Sequence, residues 1–377
     1  MKKLVFRLFL LFIIVINIIV IYLFLNPNKT FEQVFKFNEE YTKVKEGNFR
    51  IYTPPNLPFH SEDVLKELVQ TREIAQSLLP MDYASHHSIP IFVTLSDYRG
   101  HEKIPWLSGA YFNNMETILI NGEAEQYTSY TILHEYSHYL FDLYLRNQEL
   151  SIEEIPAWFT EGLAEYSAFG VQNTLIVQSS YYYDVFPFEQ LHNNIWSNSN
   201  TIYLQGFYAI YDLIEKHGEE VIPEILATYK QSRDFVKAFE EVTKQEYSTY
   251  HELFRLNKNH LQMLEENLNE PEQILKLGEE WLSKKSTINP YSPFVLPYVI
   301  TASIELHNVN DAKSYFQQLD QLLFIPNDYL YYAQAFADAG EVAFSKQLIE
   351  KGRQYAVKYH YDLDVFEAEV RKVQLDL

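Results

Sequence analysis

His134 and His138 stand four residues apart with Glu135 beside the first. Around them, from Thr128 to Leu145, the apolar residues Ile132, Leu133, Tyr136, Tyr139, Leu140 and Leu143 recur at spacings of three and four. That period predicts a helix with one apolar side. On such a helix, residues four apart lie one turn above each other, so both imidazoles can point at one ion while Glu135 stands beside it. Two exposed histidines flanking an acid for solubility would give the same five residues, so the context has to decide. The chain has no Cys, which removes disulfides, thiolate metal sites and cysteine nucleophiles and leaves any metal to His and carboxylates.

The context is a second short helix, predicted from Ala157 to Phe169 after Pro156, carrying Glu161 and Glu165 one turn apart. A catalytic zinc site needs three protein ligands and a water, and two His with one carboxylate form a standard set; Glu161 can supply the third ligand. Glu165 is placed to accept the free N–H of a ligating imidazole, which would fix that ring's tautomer and orientation. His86, His87, His101 and His192 lack helical ligand spacing and read as loop histidines, and Asp142, one turn beyond His138, reads as a solvated helix residue. The chain has no Gly-rich phosphate loop and no Gly-x-Ser-x-Gly elbow. Its net charge of −21 argues against nucleic acid as a partner, because phosphate binding needs clustered cations.

The first thirty residues differ from the rest. Lys2, Lys3 and Arg7 precede an apolar run from Leu8 to Leu25 broken only by Asn17. Eighteen helical residues would reach roughly 27 Å, close to a hydrocarbon core, and no small-x-small cleavage signal follows, so residues 1–25 are expected to be an uncleaved membrane anchor. The charge bias predicts a single-pass protein of the cell membrane with its N-terminus in the cytoplasm and the remainder outside; an exterior domain without Cys would suit a bacterial surface. Residues 26–45 read as a stalk. Strands are expected at Phe49–Tyr52, Ile89–Leu95, Gly109–Phe112 and Thr117–Ile120, and a helix from Glu62 to Leu79, before the His134 helix. Further helices are expected at Tyr203–His217, Glu219–Tyr229 and Phe235–Glu241.

The two motifs and the upstream strand order carry a family resemblance. The His134-Glu135-x-x-His138 helix and the Trp-x-x-Glu-Gly-x-Ala segment at Trp158–Ala164, 22 residues apart between His138 and Glu161, resemble the gluzincin zinc metallopeptidases. The resemblance covers roughly residues 46–260. It implies an α+β, thermolysin-like domain binding Zn2+ through His134, His138 and Glu161, with Glu135 as general base. It also implies an edge strand, here Gly109 to Ile120, whose residues Gly109, Ala110 and Tyr111 hold substrate backbone. The tyrosine that meets the developing oxyanion in related enzymes falls on Tyr203, with Tyr208 and Tyr211 as rivals. The aminopeptidase branch carries Gly-x-Met-Glu-Asn, whose Glu grips the substrate amine. Here Gly109-Ala110-Tyr111-Phe112-Asn113 has Phe112 at that position, with Met115-Glu116 as an offset alternative, and an internal peptide bond becomes the more natural target.

Residues 46–262 are therefore expected to form the peptidase domain and residues 263–377 an all-α domain of helical hairpins. The latter weakly resembles tetratricopeptide repeats: shifted by 33 positions, His307 falls on Gly340, Ala312 on Ser345 and Leu319 on Gly352. It offers a surface for a protein partner. The expected activity is that of a membrane-anchored zinc peptidase acting on a peptide or protein. Its competitors are an inactive peptidase-fold binding module and a zinc hydrolase of a non-peptide amide such as cell-wall material.

Overall fold

Five short strands build one sheet in the order β1-β2-β3-β5-β4: β1 (Thr42–Glu46), β2 (Phe49–Thr53), β3 (Ile89–Thr94), β4 (Gly109–Phe112) and β5 (Thr117–Asn121). The computed structural model describes residues 42–46, 49–53, 61–83, 89–94, 108–122, 125–172, 185–191, 199–283, 292–320, 326–358 and 363–374. The expected membrane span, the stalk up to residue 41, and His86, His87, His101 and His192 lie outside these residues. Among the described residues no helix is long and apolar enough to cross a membrane. The chain is a mixed α+β structure, mostly helical with this one small sheet.

β2, β3 and β5 run parallel, while β1 and β4 are antiparallel at the two edges. The β-branched centre is dry: Ile51, Ile91, Val93, Ile118 and Ile120 are fully buried, as a parallel core covered on its faces requires. β1 was expected to be the end of the stalk. Its residues TKVKE carry three charges, and such polar strands suit a sheet edge; Lys43 lies opposite Tyr52 with its ammonium 5.0 Å from that ring. The expected edge segment Gly109–Ile120 is corrected in part, because only β4 lies at the edge while β5 is paired on both sides.

Contacts divide the chain into two compact units. One holds the sheet, with residues up to Leu68 and Asp82–Tyr139; the other holds Val69–Met81 and Leu140 onward. Helices α1 (Ser61–Leu78) and α2 (Glu125–Asn147) each contribute to both. In the first unit α2 covers the sheet, with Tyr136 edge-on to Phe49 of β2 at 5.4 Å and Tyr139 edge-on to Tyr111 of β4 at 5.8 Å.

The second unit continues with α3 (Ala157–Gln172), α4 (Ser199–His217), α5 (Val221–Ser232) and α6 (Phe235–Thr243). Its aromatic centre is Trp158, fully buried at the start of α3 against Phe159, Phe188, Phe235 and Phe239. The indole Nε1 donates to the Tyr247 hydroxyl at 2.9 Å, so the polar end of the largest core residue is satisfied inside the core. Gln205 of α4, also fully buried, accepts from Phe186 N at 3.1 Å and donates to Phe186 O at 2.7 Å, fastening the 185–191 segment to that helix.

Among the described residues seven more helices follow: α7 (Glu252–Glu266), α8 (Pro271–Ser283), α9 (Ser292–Glu305), α10 (Val309–Asp320), α11 (Pro326–Asp338), α12 (Val342–Lys358) and α13 (Leu363–Gln374). The expected boundary after residue 262 falls inside α7. The α9–α10 and α11–α12 turns share one hydrogen-bond design. His307 N donates to Ile304 O and Asn308 N to Ser303 O; 33 positions on, Gly340 N donates to Ala337 O and Glu341 N to Phe336 O. His307 and Gly340 both adopt left-handed backbone, with φ of 58° and 84°, completing two Schellman caps. Phe316, Tyr329, Tyr332 and Phe336 fill the core between these helices, and Phe366 and Val370 of α13 join it.

Two measurements probe this packing. Tyr247→Phe leaves the buried Trp158 N–H without its acceptor and is expected to lower unfolding free energy by about 1–3 kcal/mol in urea titration. In the first turn of α11, burial pushes the Asp328 carboxyl up to about 6 from 3.8. Between those values the folded chain holds a proton that the unfolded chain has released, so stability falls as pH rises through this window and the loss is complete above it. Asp328→Asn is therefore expected to stabilise the protein by about 2 kcal/mol at pH 7.5, with the difference vanishing by pH 4, in melts recorded at both pH values.

Candidate active site

Helix α2 runs two turns either side of its histidines, longer than the period alone predicted, and buries nearly everything in its middle. His134, Glu135 and Ser137 are each at most 8% exposed. Ser137 avoids an unsatisfied hydroxyl by donating to Leu133 O at 2.8 Å. The predicted ring convergence is present: His134 Nε2 and His138 Nε2 lie 3.1 Å apart with the rings nearly perpendicular, at 80°. Two nitrogens bound to one tetrahedral zinc at 2.0–2.1 Å would be separated by about 3.3 Å.

Helix α3 supplies the third group. Pro156 precedes its first turn and accepts from Phe159 N and Thr160 N, a use of proline that suits a helix start. Trp158 then anchors that turn in the aromatic core, three residues ahead of Glu161. Ligand atoms of His134, His138 and Glu161 all lie within 4.8 Å of one another, with His134 and Glu161 buried and His138 partly so. Two imidazole nitrogens and a carboxylate oxygen at this separation fit the open, three-protein-ligand pattern of catalytic zinc. Glu165, one turn further along α3, is also buried.

Beside these groups runs the edge strand. A Cβ placed on Gly109 would lie 2.6 Å from Thr131 Cγ2 and 3.0 Å from both Glu135 Cγ and Ile120 Cδ1, so β4 passes directly over the stem of Glu135 because residue 109 has no side chain. Gly109 and Tyr111 face α2, meeting Thr131, Glu135 and Tyr139 at successive helical turns, while Ala110 and Phe112 face the other way. Glu116 occupies a left-handed position in the turn between β4 and β5, φ 45°, and is not on the strand. Phe112 thus holds the last position of the strand itself.

Asp142 is corrected. It is only 4% exposed and pairs with Arg146 at 3.1 Å, the arginine stem reaching toward solvent from one turn on. A helix face that is charged in sequence can still be inside when a partner travels with the charge. Among the three tyrosines of α4, Tyr203 is half-buried, whereas Tyr208 and Tyr211 are 1% and 9% exposed. Burial, followed by the nearby Glu215, pushes the Tyr211 hydroxyl well above its ordinary range, and burial with Glu219 and Glu215 lifts neighbouring Tyr166 to about 12. The Thr131–Glu135–Tyr139 contact stripe under β4 escaped the sequence reading, although its spacing of four was there to find.

Comparison with known proteins agrees with the donor set. The family model described as collagenase, a zinc metallopeptidase family, matches residues 110–255, which contain the His134–His138 and Glu161 helices. An uncharacterized Bacillus subtilis (strain 168) protein, YhcO, is 32% identical over 130 residues, 33% of this chain. The aligned part is 39% of the length of that relative. The matched segment is similar to zinc-dependent metallopeptidases, which are hydrolases, and zinc is the metal that His134, His138 and Glu161 fit.

Proposed function

We propose that this chain is a membrane-anchored, extracytoplasmic zinc endopeptidase. The observation that carries the reading is the convergence of His134, His138 and Glu161, with Glu135 on the same buried turn as the two rings. Zinc held there would polarise a scissile carbonyl and acidify the water at its open position. Glu135, buried on the same helix, would be the group to accept a proton from the attacking water and return it to the departing amine. Glu165 steadies a ligating ring, and the Tyr203 hydroxyl donates to the developing oxyanion. Its partial exposure supports Tyr203 over Tyr208 and Tyr211 for this role.

Among the described residues β4 pairs only with β5, so its other side can receive an extended peptide as an added strand. Gly109, Ala110 and Tyr111 would then hold substrate backbone within reach of Glu135. Phe112 in place of an acidic amine clamp favours internal bonds over free N-termini. The anchor rests on the apolar run from Leu8 to Leu25 and the cations before it, and the repeated hairpin caps favour a tetratricopeptide-like role for the C-terminal helices in recruiting a protein partner.

Glu135→Gln is expected to retain zinc and lose at least 10²-fold in kcat, whereas Glu161→Ala is expected to lose zinc on dialysis. Metal analysis and a comparison of peptide cut sites between wild-type and Glu135→Gln protein check both; undiminished cleavage by Glu135→Gln would refute the base. Tyr203→Phe should lower kcat roughly 10²-fold with little change in KM, as measured on one purified peptide substrate.

A further inference from the structure

Helices α3 and α4 touch through their backbones. A Cβ placed on Gly162 would lie 2.4 Å from the carbonyl oxygen of Gly206 and 2.9 Å from Ile210 Cγ1; one placed on Gly206 would lie 2.4 Å from the carbonyl oxygen of Trp158 and 3.1 Å from Gly162 N. Unstrained carbon–oxygen approach is about 3.3 Å, so alanine at either position would force the helices apart by on the order of 1 Å. No rotamer change relieves a clash with a carbonyl oxygen. Glycine is unfavourable inside a helix, and here it stands inside two helices where their backbones meet.

Glu161 is bonded directly to Gly162, so the depth of α3 against α4 sets where its carboxylate lies. We propose that the Gly162–Gly206 contact is a positioning device that seats Glu161 as a metal ligand, an inference that rests on the zinc site described above. Ligand distances in zinc sites hold to about 0.2 Å, so a displacement near 1 Å exceeds what the third ligand can absorb. Gly170 provides an internal comparison eight positions along α3: a Cβ there would meet only Ile74, its nearest atom the Cδ1 tip at 2.8 Å, which can rotate aside.

The test uses the full chain as wild type, Gly206→Ala, Gly162→Ala and Gly170→Ala, each stripped of metal. Zinc affinity is read by chelator competition, ligand geometry by the visible absorption of the Co2+-loaded protein, and folding by urea unfolding of the metal-free forms. Gly206→Ala and Gly162→Ala are expected to keep a cooperative metal-free transition yet bind zinc about 10- to 100-fold more weakly with shifted Co2+ bands, while Gly170→Ala matches wild type. Wild-type affinity and spectrum in Gly206→Ala and Gly162→Ala would overturn the proposal. So would an equal loss in Gly170→Ala, or the absence of a cooperative metal-free transition in both crossing variants, which would make the contact a folding element alone. Failure of the wild type itself to bind zinc would instead remove the metal site, and the positioning role with it.

Discussion

Two ring nitrogens aimed at one another from adjacent turns are held 3.1 Å apart inside the protein. Converging lone pairs repel unless a proton or a cation lies between them, and the carboxylate oxygen of Glu161 within 4.8 Å adds a third donor to the same place. Around it, Glu135, Asp142, Glu161 and Glu165 are all buried on α2 and α3. Asp142 pairs with Arg146 at 3.1 Å. A cation between the two rings and the Glu161 carboxylate would draw all three donors to one point.

Several contacts hold the two helices that carry these groups. Trp158 and its hydrogen bond to Tyr247 fix the first turn of α3, Pro156 starts that turn, and Tyr136 and Tyr139 press α2 onto the sheet. Large rigid rings with few rotatable bonds are well suited to the task, since they fill volume without adding alternative arrangements.

The parts of this architecture that a reader of the sequence can find are those written in local spacing. Histidines four apart, a carboxylate on the next helix, and apolar residues at helical period are properties of neighbouring positions, and α1 to α6 follow them with shifts of a few residues at their ends. β1 was hidden because TKVKE has too few apolar residues to announce a strand; only its pairing with β2 makes it one. Asp142 was misjudged because burial is decided by what packs on a helix, not by the helix. The 33-residue recurrence looked weak when residue types were compared, since His307 opposes Gly340 and Ala312 opposes Ser345. The two turns nevertheless end in the same backbone cap, because a Schellman cap constrains dihedral angles far more tightly than it constrains side chains.

β4 is only four residues long. Successive residues of a strand direct their amides to opposite neighbours, so about two of the four serve β5 and about two remain for anything laid along the outer side. A visitor gripped by so few main-chain bonds gains little from having merely an extended shape. Discrimination would then fall to whatever its side chains meet on either flank, and unfolded segments at large would pass the strand without lingering.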